Sequence, residues 1–119
     1  MLTAGKASQF AEVWIEAWNN HNLTRIVSHY SDDIVFSSPL VATVGGVATG
    51  CLFGHEALGV YFKAALMKFP NLRFELRTVF HGTDALTIIY KSVNNLLAAE
   101  TMVLSDDFHI KRVWAQYDK

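Results

Sequence analysis

The sequence predicts an α+β fold, in which helices near the N-terminus pack on one face of an antiparallel sheet. Up to Pro70, apolar residues recur at the helical spacing of 3.6 residues, and beyond it the spacing changes to the two-residue alternation of strands. A chain with its helices first and consecutive strands last is typical of this class. Its 119 residues predict a single domain over residues 1–119.

The helices are predicted from apolar stripes and from the residues that end them. We predict a first helix from Thr3 to Asn20 and a short second helix that starts at Thr24. A third helix follows Gly54-His55-Glu56 and ends at Phe69, because a residue that precedes a proline is disfavoured in the helical conformation. The apolar stripe of the first helix consists of Phe10, Val13, Trp14, Ala17 and Trp18.

The strands are predicted from alternation and from turn residues. The first strand runs from Ile34 to Ser38, and Pro39 closes it. The glycine-rich stretch from Val41 to Gly54 predicts short strands or an irregular lid. From Arg73 to Phe80 the residues alternate, which predicts one sheet face for Phe74, Leu76 and Phe80. Three more strands are predicted at Ala85–Val93, Leu96–Leu104 and His109–Tyr117.

The composition excludes several classes of function. The net charge is −1 and the basic residues are scattered, so binding to nucleic acid or to an anionic membrane is not expected. No apolar run approaches the ~20 residues of a membrane helix, and the N-terminus lacks the apolar core of a signal peptide. The single cysteine, Cys51, excludes an internal disulfide, and no histidine pair has metal-ligand spacing. We therefore expect a cytoplasmic protein without a metal or a cofactor.

The segment from Glu12 to Pro39, EVWIEAWNNHNLTRIVSHYSDDIVFSSP, resembles the opening of the nuclear-transport-factor-2-like superfamily. Within it, the chain is similar to the polyketide-cyclase-like (SnoaL-like) and ketosteroid-isomerase-like branch. The resemblance implies a cone-shaped, barrel-like curved sheet wrapped around three N-terminal helices, with an interior cavity at the wide end. It also implies a homodimer. The expected contact is the outer sheet face, where apolar and basic residues mix: Val79, Ile89, Val103 and Trp114 with Arg73, Arg77, Lys91 and Arg112.

Glu100 is the first candidate catalytic residue. Both faces of its strand are largely apolar, so alternation alone leaves open whether Glu100 faces inward or pairs with an arginine outside. The resemblance favours the inward direction, because Glu100 aligns with an acid that ketosteroid isomerases keep protonated in an apolar site to stabilise an oxyanion. Burial would raise the pKa of Glu100 in the same way.

Other positions depart from the isomerase pattern. Ser38 occupies the place of the general-base aspartate, and a serine hydroxyl does not remove a proton from carbon without a base of its own. Trp14 occupies the place of the oxyanion-hole tyrosine, and its indole donates a hydrogen bond but no proton. Steroid isomerisation by that mechanism is therefore not expected. Tyr90 is the second candidate catalytic residue, as an auxiliary donor, and Tyr30 and Tyr61 are further phenolic donors.

The remaining candidates would form the walls of an apolar cavity with a few placed polar groups, the usual character of a small-molecule site. These ligand-binding candidates are Trp14, Trp18, Phe36, Ser38, Phe53, His55, Phe62, Phe74, Ser92 and Met102. The leading hypothesis is a protein that binds a small apolar or aromatic molecule and catalyses a cofactor-independent isomerisation, cyclisation or dehydration. The alternatives are a non-catalytic binding or dimerisation module, and a scaffold whose core is filled.

Overall fold

The computed structural model describes residues 1–119, which form four α-helices and one sheet of six strands. The helices are α1 (Ala4–Asn19), α2 (Leu23–Ser28), α3 (Pro39–Thr43) and α4 (His55–Lys68). The strands are β1 (Tyr30–Ser37), β2 (Cys51–Phe53), β3 (Glu75–His81), β4 (Ala85–Lys91), β5 (Leu97–Leu104) and β6 (Ile110–Tyr117). The predicted α+β class is confirmed.

The strands lie in the order β2-β1-β6-β5-β4-β3, and the sheet is curved but not closed into a barrel. All neighbouring strands are antiparallel except β1 and β6, which are parallel. The prediction of a purely antiparallel sheet was therefore wrong at this pair. No hairpin joins β1 to β6, so no tight turn imposes an antiparallel direction on them.

Side chains before the first residue of α1 and α2 fix where these helices begin. The Thr3 hydroxyl accepts a hydrogen bond from the backbone N–H of Lys6 at 3.2 Å. The Asn22 side chain accepts one from the backbone N–H of Arg25 at 3.1 Å. These caps satisfy N–H groups that have no partner within the helix. Both predicted helices are therefore present, with ends that differ slightly from the prediction.

The short helix α3 was missed, so the chain has four helices where three were predicted. Pro39 was interpreted as the end of a strand, but it also occupies the first turn of α3, where its missing N–H costs nothing. The Ser38 hydroxyl caps this helix by accepting a hydrogen bond from the backbone N–H of Leu40 at 3.2 Å. The glycine-rich stretch that follows contains one short strand, β2, which pairs with β1.

A bulge in β3 reverses the predicted alternation. Leu76 pairs with Tyr90 and Thr78 with Ile89, so one extra residue lies on β3 between these pairs. Beyond the bulge, Val79 packs against the core and Phe80 is 62% exposed. The predictions that Phe80 shares a face with Phe74 and that Val79 belongs to the outer face were therefore wrong.

The core lies between the helices and the concave face of the sheet. Its largest fully buried side chains include Trp14 of α1, Phe62 of α4 and Tyr90 of β4. None of the helices combines the length and the apolar character needed to cross a lipid bilayer.

Candidate functional site

A cavity opens between the helices and the inner sheet face. Its volume is about 40 Å³, which is room for roughly three water molecules. Of its 16 lining residues 14 are hydrophobic, so its few polar groups determine what chemistry it can support. Eight of the predicted site residues lie here: Trp14, Trp18, Phe36, Phe62, Phe74, Tyr90, Ser92 and Glu100.

Glu100 and Tyr90 form the polar centre of this cavity. Glu100 is 4% exposed and Tyr90 1% exposed, so both side chains are removed from bulk water. The Tyr90 hydroxyl donates a hydrogen bond to Oε1 of Glu100 at 2.7 Å. Oε2 of Glu100 has no hydrogen-bond partner within the protein. One carboxyl oxygen is thus held in place, and the other has no partner in the protein.

The register of β4 and β5 explains this contact. Glu100 pairs with Ile88, and Tyr90 pairs with Ala98 two residues further along. Tyr90 and Glu100 are therefore diagonal neighbours on the same sheet face, within reach of long side chains. In the structure Glu100 faces inward, which the alternation of the sequence had left open.

Burial raises the pKa of Glu100 to about 7, and the hydrogen bond from Tyr90 opposes part of this rise. Desolvation dominates because the carboxylate loses more solvation energy than the neutral acid on entering an apolar site. Glu100 therefore keeps its proton to a higher pH than an ordinary carboxyl group does. Such a group can either donate or accept a proton.

Two further tyrosines, Tyr61 of α4 and Tyr117 of β6, also line the cavity. Burial raises the pKa of both phenols, and the negative charge of Glu100 raises it further. They are therefore neutral donors and acceptors at physiological pH. Tyr61 was predicted only as a phenolic donor and Tyr117 was missed, although Tyr117 has the same strand parity as the buried Val113 and Ala115.

The two indoles of α1 differ in their hydrogen bonds. Nε1 of Trp14 donates to the Tyr30 hydroxyl at 3.0 Å, so it is already occupied. Nε1 of Trp18 is buried and has no hydrogen-bond partner. Burial raises the pKa of the neighbouring Tyr30 phenol well above its ordinary value, and the two indoles oppose part of this rise. A buried donor without a partner is costly.

Four predicted ligand-binding residues do not line this cavity. Phe53 lies on the edge strand β2 and is 70% exposed, because it points away from the sheet's inner face. Met102 is fully buried in the core, and Ser38 is buried as the cap of α3. The His55 ring donates from Nε2 to the backbone oxygen of Val27 at 3.0 Å, which ties α4 to α2. Placement of these four in the cavity was therefore wrong.

Aromatic rings make the cavity narrow. The Trp14 ring lies 5.3 Å from Tyr90 and 5.9 Å from Phe74, and the Trp18 ring lies 4.8 Å from Phe62, measured between ring centres. These separations are typical of directly packed aromatic pairs. The rings therefore fill most of the space between the helices and the sheet and leave only a narrow cavity beside them.

The set of ionisable groups limits the chemistry. The lining contains no lysine, arginine or histidine, and Glu100 is its single carboxyl group. No cluster of three or more histidine, cysteine or acidic residues exists that could hold a metal ion. The cavity can therefore exchange one proton through Glu100 and offer neutral hydrogen bonds through its phenols.

Several solved structures are similar to this chain. A SnoaL-like protein of unknown function from Burkholderia thailandensis E264 is 36% identical, with a TM-score of 0.93 over 98% of each chain. SalBIII, an epoxide hydrolase/cyclase-like enzyme with a role in pyran ring formation in the polyether salinomycin, is 13% identical, with a TM-score of 0.79 over 98% of this chain and 94% of its own. A candidate ketosteroid isomerase from Kribbella flavida DSM 17836 is 9% identical, with a TM-score of 0.70 over 93% and 76%.

The two distant likenesses show a shared fold alone. No curated protein matches the chain. The model of the SnoaL-like domain matches residues 11–113, which is most of the sequence and includes every element from the middle of α1 to β6. The chain therefore belongs to the SnoaL-like family.

Proposed function

We propose that this protein binds a small apolar or aromatic molecule in the cavity and catalyses an acid-assisted isomerisation, cyclisation or dehydration without a cofactor. The observation that supports it is Glu100, a single buried carboxyl group with one free oxygen among aromatic walls. Relatives of the same fold include proteins named as isomerases and cyclases.

Three side chains have roles in this proposal. Glu100 donates a proton to the reacting oxygen of the substrate, and its pKa of about 7 places it near the optimum for proton transfer at neutral pH. Tyr90 orients the carboxyl group through its hydrogen bond to Oε1. Trp18 supplies an aromatic wall beside the same molecule.

The second candidate is a non-catalytic binding module. It is favoured by the lack of a separate base, since Ser38 caps α3 and no second carboxyl group lines the cavity. A catalyst with this lining must use Glu100 twice, first as an acid and then as a base. Isomerisation and dehydration permit this double use, because each gives up one proton and takes up another.

The test begins with binding. Isothermal titration calorimetry with indane and 1-indanol, two flat bicyclic molecules that differ by one hydroxyl, measures whether the cavity accepts a ligand. We expect both to bind and 1-indanol to bind more tightly. Absence of binding by both would support a filled core and would overturn the proposal.

Catalysis is tested separately by screening small cyclic alcohols, enones and epoxides for product by NMR. We expect product with the wild-type protein and none with Glu100→Gln, which keeps the shape of the side chain but exchanges no proton. A Glu12→Gln variant, altered at an exposed acid of α1, is the matched control for the change of charge. Binding without product from any substrate would leave the binding module as the function.

A further inference from the structure

We infer that the reaction in this cavity passes through a positively charged intermediate, and that its substrate is an allylic or benzylic alcohol. This rests on the proposed function and names the substrate class for it. The observations are the ring walls, the single carboxyl group, and the lack of any cationic side chain in the lining.

The first step of the argument concerns the sign of charge that the lining tolerates. Every ionisable side chain in it is an acid, namely Glu100 and the phenols Tyr61, Tyr90 and Tyr117. No lysine, arginine or histidine is present to stabilise an anion. Aromatic rings attract cations through their negative faces, and Trp14, Trp18, Phe62 and Phe74 surround the space. The environment therefore favours positive charge on the ligand.

The second step concerns the donors that an oxyanion would need. The Tyr90 hydroxyl already donates to Glu100 and the Trp14 indole to Tyr30, so the donors left for an oxyanion are the neutral phenols of Tyr61 and Tyr117. An oxyanion route also needs Glu100 to remain protonated while another group removes the proton from carbon. The lining has no such group, so this route is incomplete here.

The third step is the balanced reaction. The Glu100 O–H proton is transferred to the hydroxyl oxygen of the alcohol, the C–O bond breaks, and its electron pair leaves with water. A carbocation then lies beside the Glu100 carboxylate. The carboxylate removes a proton from the adjacent carbon, the C–H electron pair forms the C=C bond, and Glu100 is protonated again. The net change is alcohol to alkene and water, with no oxidant, reductant or further base.

A protonated amine reproduces the charge of this intermediate in a stable form. 1-Aminoindane, 1-indanol and 1-indanone share one carbon skeleton and differ only at the reacting position. The amine mimics the cation, the alcohol mimics the substrate, and the ketone is the ligand that an oxyanion-stabilising site would prefer. Calorimetry with these three compounds therefore distinguishes the two kinds of intermediate.

At pH 8 we expect 1-aminoindane to bind at least about tenfold more tightly than either neutral compound, the range that a desolvated cation–π contact and a carboxylate pair can provide. Its affinity should rise from pH 5 to pH 8 as Glu100 ionises. The other groups that face Glu100 are the phenols Tyr30, Tyr61, Tyr90 and Tyr117, which burial keeps neutral throughout this range.

The Glu100→Gln variant should lose the preference for the amine and retain binding of 1-indanol, whereas Glu12→Gln should retain both. Equal or tighter binding of 1-indanone by the wild-type protein would overturn the cationic intermediate and leave the proposed function in place. An amine preference that survives in Glu100→Gln would also overturn it. If none of the three compounds binds, both the inference and the proposed function are overturned.

Discussion

Replacing Glu100 by glutamine should remove a loss of stability that the wild-type protein suffers as the pH rises. The folded protein holds the pKa of Glu100 near 7, whereas the ordinary value is 4.5. The folded state therefore retains a proton that the unfolded chain has released between these two values. Stability falls with rising pH wherever the folded state binds more protons than the unfolded state.

The size of the effect follows from the difference between the two pKa values. Each pKa unit corresponds to 1.36 kcal/mol, so the full difference is about 3 kcal/mol. Glu100 is almost fully buried, so solvent screening does not reduce this figure. Below pH ~4 the carboxyl group is protonated in both the folded and the unfolded state, so Glu100 causes no loss of stability. Above pH ~8 it is ionised in both states, and the loss of stability reaches its full size.

The assay is urea unfolding of wild type and Glu100→Gln at intervals from pH 4 to pH 8. The free energy of unfolding of the wild type, relative to that of the variant, should decrease by about 3 kcal/mol over this range. Glutamine retains an oxygen that accepts the Tyr90 hydrogen bond, so packing changes little. Glu12→Gln, at an exposed acid of α1, is the matched control for the change of charge.

A relative stability of the wild type that is constant, or that increases with pH, would refute this reasoning. Glu100 would then be solvated or paired with a positive group, and it would be ionised at neutral pH. The acid role in the proposed function would have to be abandoned as well.

Three further predictions concern other parts of the molecule. Tyr90→Phe removes the hydrogen bond that lowers the pKa of Glu100, so carboxyl NMR should show this pKa rising and urea unfolding a loss of about 1 kcal/mol. Gly45→Ala should cost about 1–3 kcal/mol, because its Cβ would lie 2.7 Å from a backbone oxygen and 3.0 Å from an aromatic ring, whereas Gly59→Ala, with open space in α4, should stabilise the protein. Light scattering should give the mass of a homodimer, and Trp114→Lys, on the outer sheet face, should convert it to the mass of a monomer.

The elements with strong periodic patterns could be predicted from the sequence, and those with local exceptions could not. Helix α4 follows from its apolar spacing and from the proline beyond it. The bulge in β3 was missed because no glycine marks the extra residue, although Thr78 and Val79 break the alternation that Phe74 and Leu76 begin. Helix α3 was missed because Pro39 is compatible both with the end of a strand and with the first turn of a helix.

The residues that line the cavity could be predicted where strand parity or helical spacing determines which way a side chain points. Tyr117 could have been found because Trp114 points outward, so every second residue counted from Val113 points inward. Tyr61 precedes Ala65 by one helical turn, and both line the cavity. Phe53 was misplaced because an edge strand of three residues has too few positions to establish which face is buried.

The proposed chemistry ultimately depends on the register of two strands. If β5 were shifted by one residue relative to the core, Thr101 would face the cavity and Glu100 would face solvent. Burial of apolar side chains opposes this shift. In the observed register the buried residues of β4 lie opposite those of β5, as Ile88 lies opposite Glu100, and a shift of one residue would expose the buried residues of β5 to solvent. The apolar packing that holds the register also raises the pKa of Glu100, because the same side chains exclude water. Stability of the sheet and acidity of the site thus have a common origin.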